Sequence, residues 1–113
     1  MQYQISLLHE AIRRLLILCR HSKHYTQQQL SAASGFSRQF ISQLECGKRH
    51  PSLETLCQFA EPLDTNISNL AADLDKIYLM LLQKQHMEQA SIAADKARSG
   101  LDYIQKTRSS YGY

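Results

Sequence analysis

Two short helices and the start of a third are predicted from residues 26–56, TQQQLSAASGFSRQFISQLECGKRHPSLETL. Thr26, Ser37 and Ser52 each precede an apolar-periodic run, where a hydroxyl can accept hydrogen bonds from the free amides of a first helical turn. Gly35 and Gly47 follow the first two runs, and glycine tolerates the positive φ with which many helices end. The stretch therefore predicts consecutive helices that begin after residues 26, 37 and 52.

The rest of the chain is also predicted to be helical. Residues 4–23 carry apolar side chains at spacings of three and four, which indicates an amphipathic first helix. Pro62 is expected to close the fourth helix, and Asn66 to cap a longer one that runs at least to residue 86. We therefore predict an all-α fold of five helices with an extended C-terminal helical segment. The side chains expected to face inward or to mark the buried stripes include Leu30, Ala33, Ile41, Leu44, Leu53, Leu56, Cys57 and Ala60.

Composition narrows the function classes. The chain has 113 residues and a net charge of only +3, without a polybasic run, so binding to a nucleic acid would need individually placed contacts. The three cysteines show no CxxC spacing, which favours reduced thiols in a cytoplasmic protein. Glu10, Arg13 and Arg14 interrupt the leucine-rich start, so no membrane span is expected. No phosphate loop, HExxH motif or nucleophile elbow occurs, and we expect neither enzyme activity nor a cofactor.

The pair of helices around Gly35 points to DNA. Two helices joined by a short glycine-containing turn cross at about a right angle, and the second of such a pair can lie in the major groove of double-stranded DNA. Ile41 and Leu44 define the inner face of the second helix. Its outer face then carries arginine, which can read guanine, and glutamine, which can read adenine. Taken alone, this set would be typical of an ordinary solvated face: Arg38, Gln39, Ser42 and Gln43.

The same stretch resembles the lambda-repressor-like, Xre-type helix-turn-helix family. The match extends from about Leu16 to Leu70. It includes, at fixed spacing, Leu30, Gly35, Ser37, the pair Gly47-Lys48 and the triplet Pro51-Ser52-Leu53. The resemblance implies that Gln27 contacts phosphate and braces the recognition helix, and that the outer-face residues 38, 39, 42 and 43 touch bases or nearby phosphates. It further implies backbone contacts from Ser37, Lys48 and Arg49, and a structural ion pair between Arg20 and Glu45. Three positions depart from the family pattern: His24, Ser31 and Pro62.

Residues 71–113 exceed what a DNA-reading domain of residues 1–70 needs. One apolar stripe ends at Leu81 and a second begins at Met87, out of phase with the first, which predicts a break or bend at residues 83–86. We interpret this segment as a helical dimerisation or partner segment, with an unanchored, flexible tail at residues 109–113. The residues expected to contact a second copy or a partner are Leu74, Ile77, Tyr78 and Leu81.

Three functions are compatible with these features. The first is a dimeric transcriptional regulator, a repressor on an inverted repeat. The second is the antitoxin of a toxin–antitoxin pair, which represses its own operon and binds the toxin through residues 71–113. The third is an adaptor that kept the fold but works through protein contacts. His21 and His24 lack a third metal ligand nearby, so no metal site is expected, and Cys46 beside Lys48 and Arg49 is a candidate redox-sensitive thiol.

Overall fold

The computed structural model describes the backbone of residues 2–110 and the side chains of residues 2–98. Five helices follow one another along the chain, and no strand occurs in the described part. None of these helices is long and apolar enough to cross a membrane. The predicted all-α fold with an extended last helix is confirmed. The helices are α1 (Ile5–Ser22), α2 (Gln27–Ser34), α3 (Arg38–Glu45), α4 (Leu53–Ala60) and α5 (Ile67–Ser110).

Side-chain caps begin four of the helices, where the sequence predicted them. Thr26 accepts a hydrogen bond from the Gln29 amide at 3.0 Å, and its own amide donates to the Gln29 side chain at 2.8 Å, which completes a capping box. The Ser37 hydroxyl accepts from the amide of Phe40 at 3.0 Å. Ser52 and Asn66 cap α4 and α5 in the same manner. These bonds fix the starts of the helices locally, before any tertiary contact is considered.

The turn between α2 and α3 depends on Gly35, which has a φ of +83°. The Ser31 hydroxyl donates to the carbonyl of Phe36 at 2.6 Å, and the Gln58 side chain donates to the carbonyl of Ser34 at 3.2 Å. Ser31, a departure from the family pattern, therefore stabilises the turn. His24, another departure, has a φ of +59°, a left-handed conformation like that of the glycine the family often has there.

We expect Gly35→Ala to lower the free energy of unfolding by about 1–2 kcal/mol, because an L side chain is strained at this φ. A Cβ at this position would lie 3.9 Å from Gln58 Nε2, so backbone strain, not a steric clash, is the cause. Urea denaturation measures the loss. Gly35→Asn is the matched comparison, since asparagine tolerates the left-handed region, and it should lose clearly less. Equal losses for the two variants would contradict the role of φ.

The helices pack around one apolar core and a smaller cluster beside it. Leu16, Leu30, Ile41 and Phe59 are central to the first, and Leu15, Ala60 and Leu70 form the second. The buried residues of α4 and the turn after it recur at i, i+3, i+4 and i+7 from Leu56, as expected for one helical face. Phe59, which the sequence prediction missed, is among the most buried side chains.

Three inward-facing predictions are wrong. Ala33 is exposed and Ser34 takes the buried position at the end of α2, where its hydroxyl accepts a hydrogen bond from the Phe36 amide. Leu53 and Cys57 are exposed on α4, because the buried face of that helix carries Leu56, Phe59 and Ala60. In helices of eight residues, a difference of one position in the chosen face exchanges buried and exposed residues.

The chain forms two compact units, and the boundary between them lies after Leu81, whereas the sequence placed a domain boundary at residue 70. In the N-terminal unit, Leu70 is buried, and Leu74 and Ile77 pack against the Leu15 cluster. Tyr78 is fully buried; its hydroxyl accepts a hydrogen bond from the Gln4 amide at 2.9 Å. Tyr78 is thus a core residue of its own chain and not the surface residue that the sequence predicted.

A break or bend was predicted at residues 83–86; the break is wrong, because α5 is helical through this segment, and the bend stays a prediction. Residues 82–98 contain no proline or glycine and are rich in strong helix formers, so the backbone continues regularly. The phase slip between the two apolar stripes therefore lies within one uninterrupted helix. The second stripe is predicted to continue through Leu101 and Ile104, which lie outside the described side chains, and residues 111–113 of the expected tail lie outside the described residues.

Candidate nucleic-acid interface

The outer face of α3 is polar and accessible. Arg38 and Gln39 are exposed, and Ser42 and Gln43 are half-buried one turn further along. On the inner face, Ile41 and Leu44 are 1% and 2% exposed. The structure therefore places all four predicted base-reading residues on the side of α3 that points away from the core. Their donors and acceptors are of the kind that reads base edges in a major groove.

The acidic residue of α3 is turned inward and neutralised. Arg20 donates to both carboxylate oxygens of Glu45, at 2.8 Å each, in a bidentate pair whose side chains are 12% and 9% exposed. Arg20 also donates to the carbonyl of Tyr25 at 2.8 Å, and the Gln27 side chain donates to Glu45 at 3.3 Å. Glu45 thus joins α1, the start of α2 and the end of α3, and its charge is withheld from the outer face.

A tight turn follows α3 and exposes two basic side chains to solvent. The amide of Lys48 donates to the carbonyl of Gln43 at 2.9 Å and the amide of Gly47 to that of Leu44 at 3.3 Å, the two bonds of a Schellman motif. Gly47 has the positive φ, 80°, that this motif needs. Lys48 and Arg49 are both exposed. The guanidinium of Arg49 lies 5.9 Å from the centre of the Phe40 ring, a cation–π contact.

The remaining predicted contacts lie at helix starts. Ser37 is the exposed N-cap of α3, and its hydroxyl accepts from the Phe40 amide, which leaves its own proton free to donate. Gln27 is half-buried as the first residue of α2. The structure thus gathers the eight predicted residues around α3, the start of α2 and the turn after α3: Gln27, Ser37, Arg38, Gln39, Ser42, Gln43, Lys48 and Arg49.

The sequence analysis missed a second contact between α1 and the end of α3. Arg13 donates to the backbone carbonyl of Glu45 at 3.1 Å and to both carboxylate oxygens of Glu10, at 2.6 and 3.0 Å. Hydrogen bonds from Arg13 and Arg14 lower the pKa of Glu10 to about 2. A signal was present in the sequence, because Arg13 precedes Arg20 by seven residues, two helical turns, and so shares its face of α1.

The sequence raised two further questions, a metal site at His21 and His24 and a redox-sensitive thiol at Cys46. Within the described residues, no group of three or more histidine, cysteine, aspartate or glutamate side chains is placed to hold a metal ion. His21 lies beside Arg20, with 3.2 Å between a ring nitrogen and the guanidinium. Cys46 is exposed at the end of α3, and its thiol donates a hydrogen bond to the carbonyl of Gln43 at 3.7 Å.

Comparison with known proteins agrees with this geometry. A family model described as helix-turn-helix matches residues 16–70. A protein named as an uncharacterized HTH-type transcriptional regulator, y4dJ from Sinorhizobium fredii, is 39% identical over 57 residues, which cover 50% of this chain and 74% of that protein. The chain belongs to the lambda-repressor-like, Xre-type helix-turn-helix family. It is therefore a DNA-binding transcriptional regulator, and α2 and α3 lie within the residues that the helix-turn-helix model matches.

A solved structure shares the fold of this helix-turn-helix regulator. The crystal structure of the clp gene regulator ClgR from Corynebacterium glutamicum superposes with a TM-score of 0.67, covers 74% of this chain and 88% of that chain, and is 23% identical in sequence. At this identity the likeness concerns the fold alone. The superposed part of the chain thus has a fold that a quite different sequence also adopts.

Proposed function

We propose that this protein is a dimeric repressor that reads an inverted repeat in double-stranded DNA through the outer face of α3. The observation that carries the proposal is the accessible, acid-free face of that helix. Arg38 and Gln39 are free to reach base edges there, and the one carboxylate of α3 is paired with Arg20. Repression requires only that the bound protein occupies the operator, whereas activation requires a further contact with the transcription machinery.

Base readout and backbone contact divide among the residues by position. The side chains of Arg38, Gln39, Ser42 and Gln43 read bases, because they share the face of α3 opposite the core. Gln27 and Ser37, at helix starts, and Lys48 and Arg49, in the turn after α3, contact phosphates on either side of the groove. The Schellman motif and the Phe40 ring hold this turn, so less conformational entropy is lost when phosphate binds.

Selection of bound duplexes from a random DNA pool, at roughly physiological salt, tests the proposal. We expect enrichment of an inverted repeat whose half-sites are about 10 base pairs apart, as one DNA turn separates the recognition helices of a dimer. The selected duplex then serves as the operator in binding measurements. Absence of any enriched sequence would contradict sequence-specific reading by α3.

Arg38→Ala and Lys48→Ala are expected to weaken DNA binding in different ways. Arg38→Ala should weaken operator binding by about 1–3 kcal/mol and relax the preference at a single base position in each half-site. Lys48→Ala should weaken binding to all sequences alike and reduce the slope of log Kd against log salt by about one. Fluorescence anisotropy on operator and scrambled duplexes separates the two patterns. An unchanged base preference in the Arg38 variant would remove this residue from the reading set.

The proposed dimer contact uses the second apolar stripe. Met87 is 66% exposed, and Ala90, Ala94 and Ala97 are exposed at the 3, 4 and 3 spacing of a helical seam. By contrast, Leu74 and Ile77, two of the residues the sequence assigned to a partner, pack against their own chain, and Leu81 is half-buried. Small alanines permit close approach of two helix backbones. The partner surface is therefore proposed to lie on residues 87–97.

An antitoxin that represses its own operon is the second candidate. It is favoured by the exposure of every residue from 86 to 98, which leaves all sides of this helical segment open to a larger protein partner. Sedimentation of the purified chain separates the two candidates, because a repressor that pairs through this segment should be a dimer on its own. A neighbouring short reading frame whose product binds residues 82–98 would favour the antitoxin. In either case we place the protein in the cytoplasm, in keeping with its free cysteines.

A further inference from the structure

The turn after α3 is contacted by α1 at more points than the Arg20–Glu45 pair. Arg13 donates to the carbonyl of Glu45, the last residue of α3, at 3.1 Å. The aliphatic part of the Arg13 side chain lies beside Gly47, because a Cβ added to Gly47 would be 3.7 Å from Arg13 Cδ. Arg13 thereby satisfies one of the terminal carbonyls of α3 and lies beside the left-handed residue Gly47.

Arg13 is itself held in place. Glu10 accepts two hydrogen bonds from its guanidinium, at 2.6 and 3.0 Å, in a bidentate pair one helical turn away. Arg14 donates to the same carboxylate at 2.8 Å but is exposed, and the structure gives it no hydrogen bond to α3. Two neighbouring arginines thus share one partner, and only the first of them also reaches the recognition helix.

A stacked histidine pair contacts the far end of the turn. The rings of His9 and His50 lie 3.6 Å apart between centroids and are inclined by only 11°. His9 and Arg13 are four residues apart and therefore lie on one face of α1. Along the turn, the contacts fall at Glu45, Gly47 and His50, and the exposed Lys48 and Arg49 lie between them.

We infer that Arg13 and His9 are positioning residues, which hold Lys48 and Arg49 in the place where they meet the DNA backbone. The inference rests on the proposed function of Lys48 and Arg49 as phosphate contacts. A turn that is fixed at both ends loses less conformational freedom on binding, so part of the affinity of Lys48 and Arg49 depends on α1. Neither Arg13 nor His9 needs to touch DNA for this effect.

Arg13→Met in the full chain tests the inference, with Arg14→Met as its matched control. Both variants remove one positive charge from adjacent positions of α1, and both remove a bond to Glu10. Only Arg13→Met removes the bond to α3. Anisotropy titrations of the selected operator duplex should show about tenfold weaker binding for Arg13→Met, equivalent to about 1.4 kcal/mol. They should also show a shallower slope of log Kd against log salt, whereas Arg14→Met should stay close to the wild-type chain.

A double-mutant cycle distinguishes positioning from a direct phosphate contact. In a chain that already carries Lys48→Met and Arg49→Met, Arg13→Met should cause little further loss, because the residues that it positions are gone. Additive losses would overturn the inference and make Arg13 an independent contact. Equal losses for the Arg13 and Arg14 variants would overturn it as well. Wild-type chain that selects no operator would instead contradict the proposed function.

His9→Leu keeps the inference testable if Arg13→Met does not fold, which circular dichroism and urea denaturation would reveal. This variant removes the stacked ring but no hydrogen bond to α3. We expect a smaller loss of operator affinity than for Arg13→Met, again absent in the background without Lys48 and Arg49. Operator binding equal to wild type, with the same salt slope, would exclude His9 from positioning the turn.

Discussion

Arg20→Met is expected to lower the free energy of unfolding of the N-terminal unit by about 3–5 kcal/mol, since it leaves a buried carboxylate without its cation. Glu45 is 9% exposed in its side chain, and Arg20 supplies both of its 2.8 Å hydrogen bonds. Without Arg20, the only side-chain bond that remains to this carboxylate among the described residues is the 3.3 Å one from Gln27. Small domains have about 5–15 kcal/mol of stability in total, so the loss is a large fraction.

Urea denaturation followed by circular dichroism measures this loss, and Arg14→Met is the control. Arg14 pairs with Glu10 at 2.8 Å but is 46% exposed, so its removal should cost less than about 1 kcal/mol. The double variant Arg20→Met with Glu45→Met should recover part of the stability lost by Arg20→Met, because no unpaired charge is then buried. A double variant less stable than the single one would show that the lost energy comes from the pair's attraction and not from the orphaned carboxylate.

Helix starts and turns were predictable because their causes are local. The hydroxyls of Thr26, Ser37 and Ser52 bond to amides three residues later, and these bonds need no knowledge of the rest of the fold. The same holds for Gly35 and Gly47, whose positive φ values end α2 and α3. The recognition helix and its outer face could therefore be located from the sequence.

Burial in α4 and α5 was less predictable because it depends on distant residues. Apolar character alone does not distinguish exposed Leu53 from buried Leu56; the position of α4 on the core does. Tyr78 became a core residue because Tyr3 and Gln4, far away in the sequence, contact it through the ring and the hydroxyl. The phase slip in α5 was visible in the sequence, but an uninterrupted helix carries the same pattern as a broken one.

The contacts of Arg13 show a third kind of limit. Its spacing from Arg20 could place it on the correct face of α1, but the acceptor is a backbone carbonyl. Every residue has such a carbonyl, so the side chain at position 45 does not predict this hydrogen bond. Charged partners such as Arg20 and Glu45 can be paired from the sequence through a family resemblance, whereas bonds to the main chain require the structure.

Loss of the proposed dimer contact should have the largest effect on operator binding. We expect the double variant Met87→Lys with Ala94→Lys to be a monomer and to bind the two-half-site operator about a hundredfold more weakly or worse, because the second half-site then binds independently of the first. Both residues are exposed, so the N-terminal unit should remain folded. The added positive charges would favour approach to DNA, and weaker binding could therefore not be ascribed to repulsion.

Ile92→Lys is the matched control, because Ile92 is also exposed, at 55%, but lies on the opposite side of α5 from Met87 and Ala94 by helical periodicity. It should remain a dimer in sedimentation equilibrium and keep its operator affinity. On a duplex with a single half-site, the double variant should bind as well as the wild-type chain, since reading by α3 is untouched. If the double variant stays dimeric, another face pairs the chains. If instead the wild-type chain is a monomer that binds only single half-sites, the exposed segment of α5 is left for a different protein, as the antitoxin candidate requires.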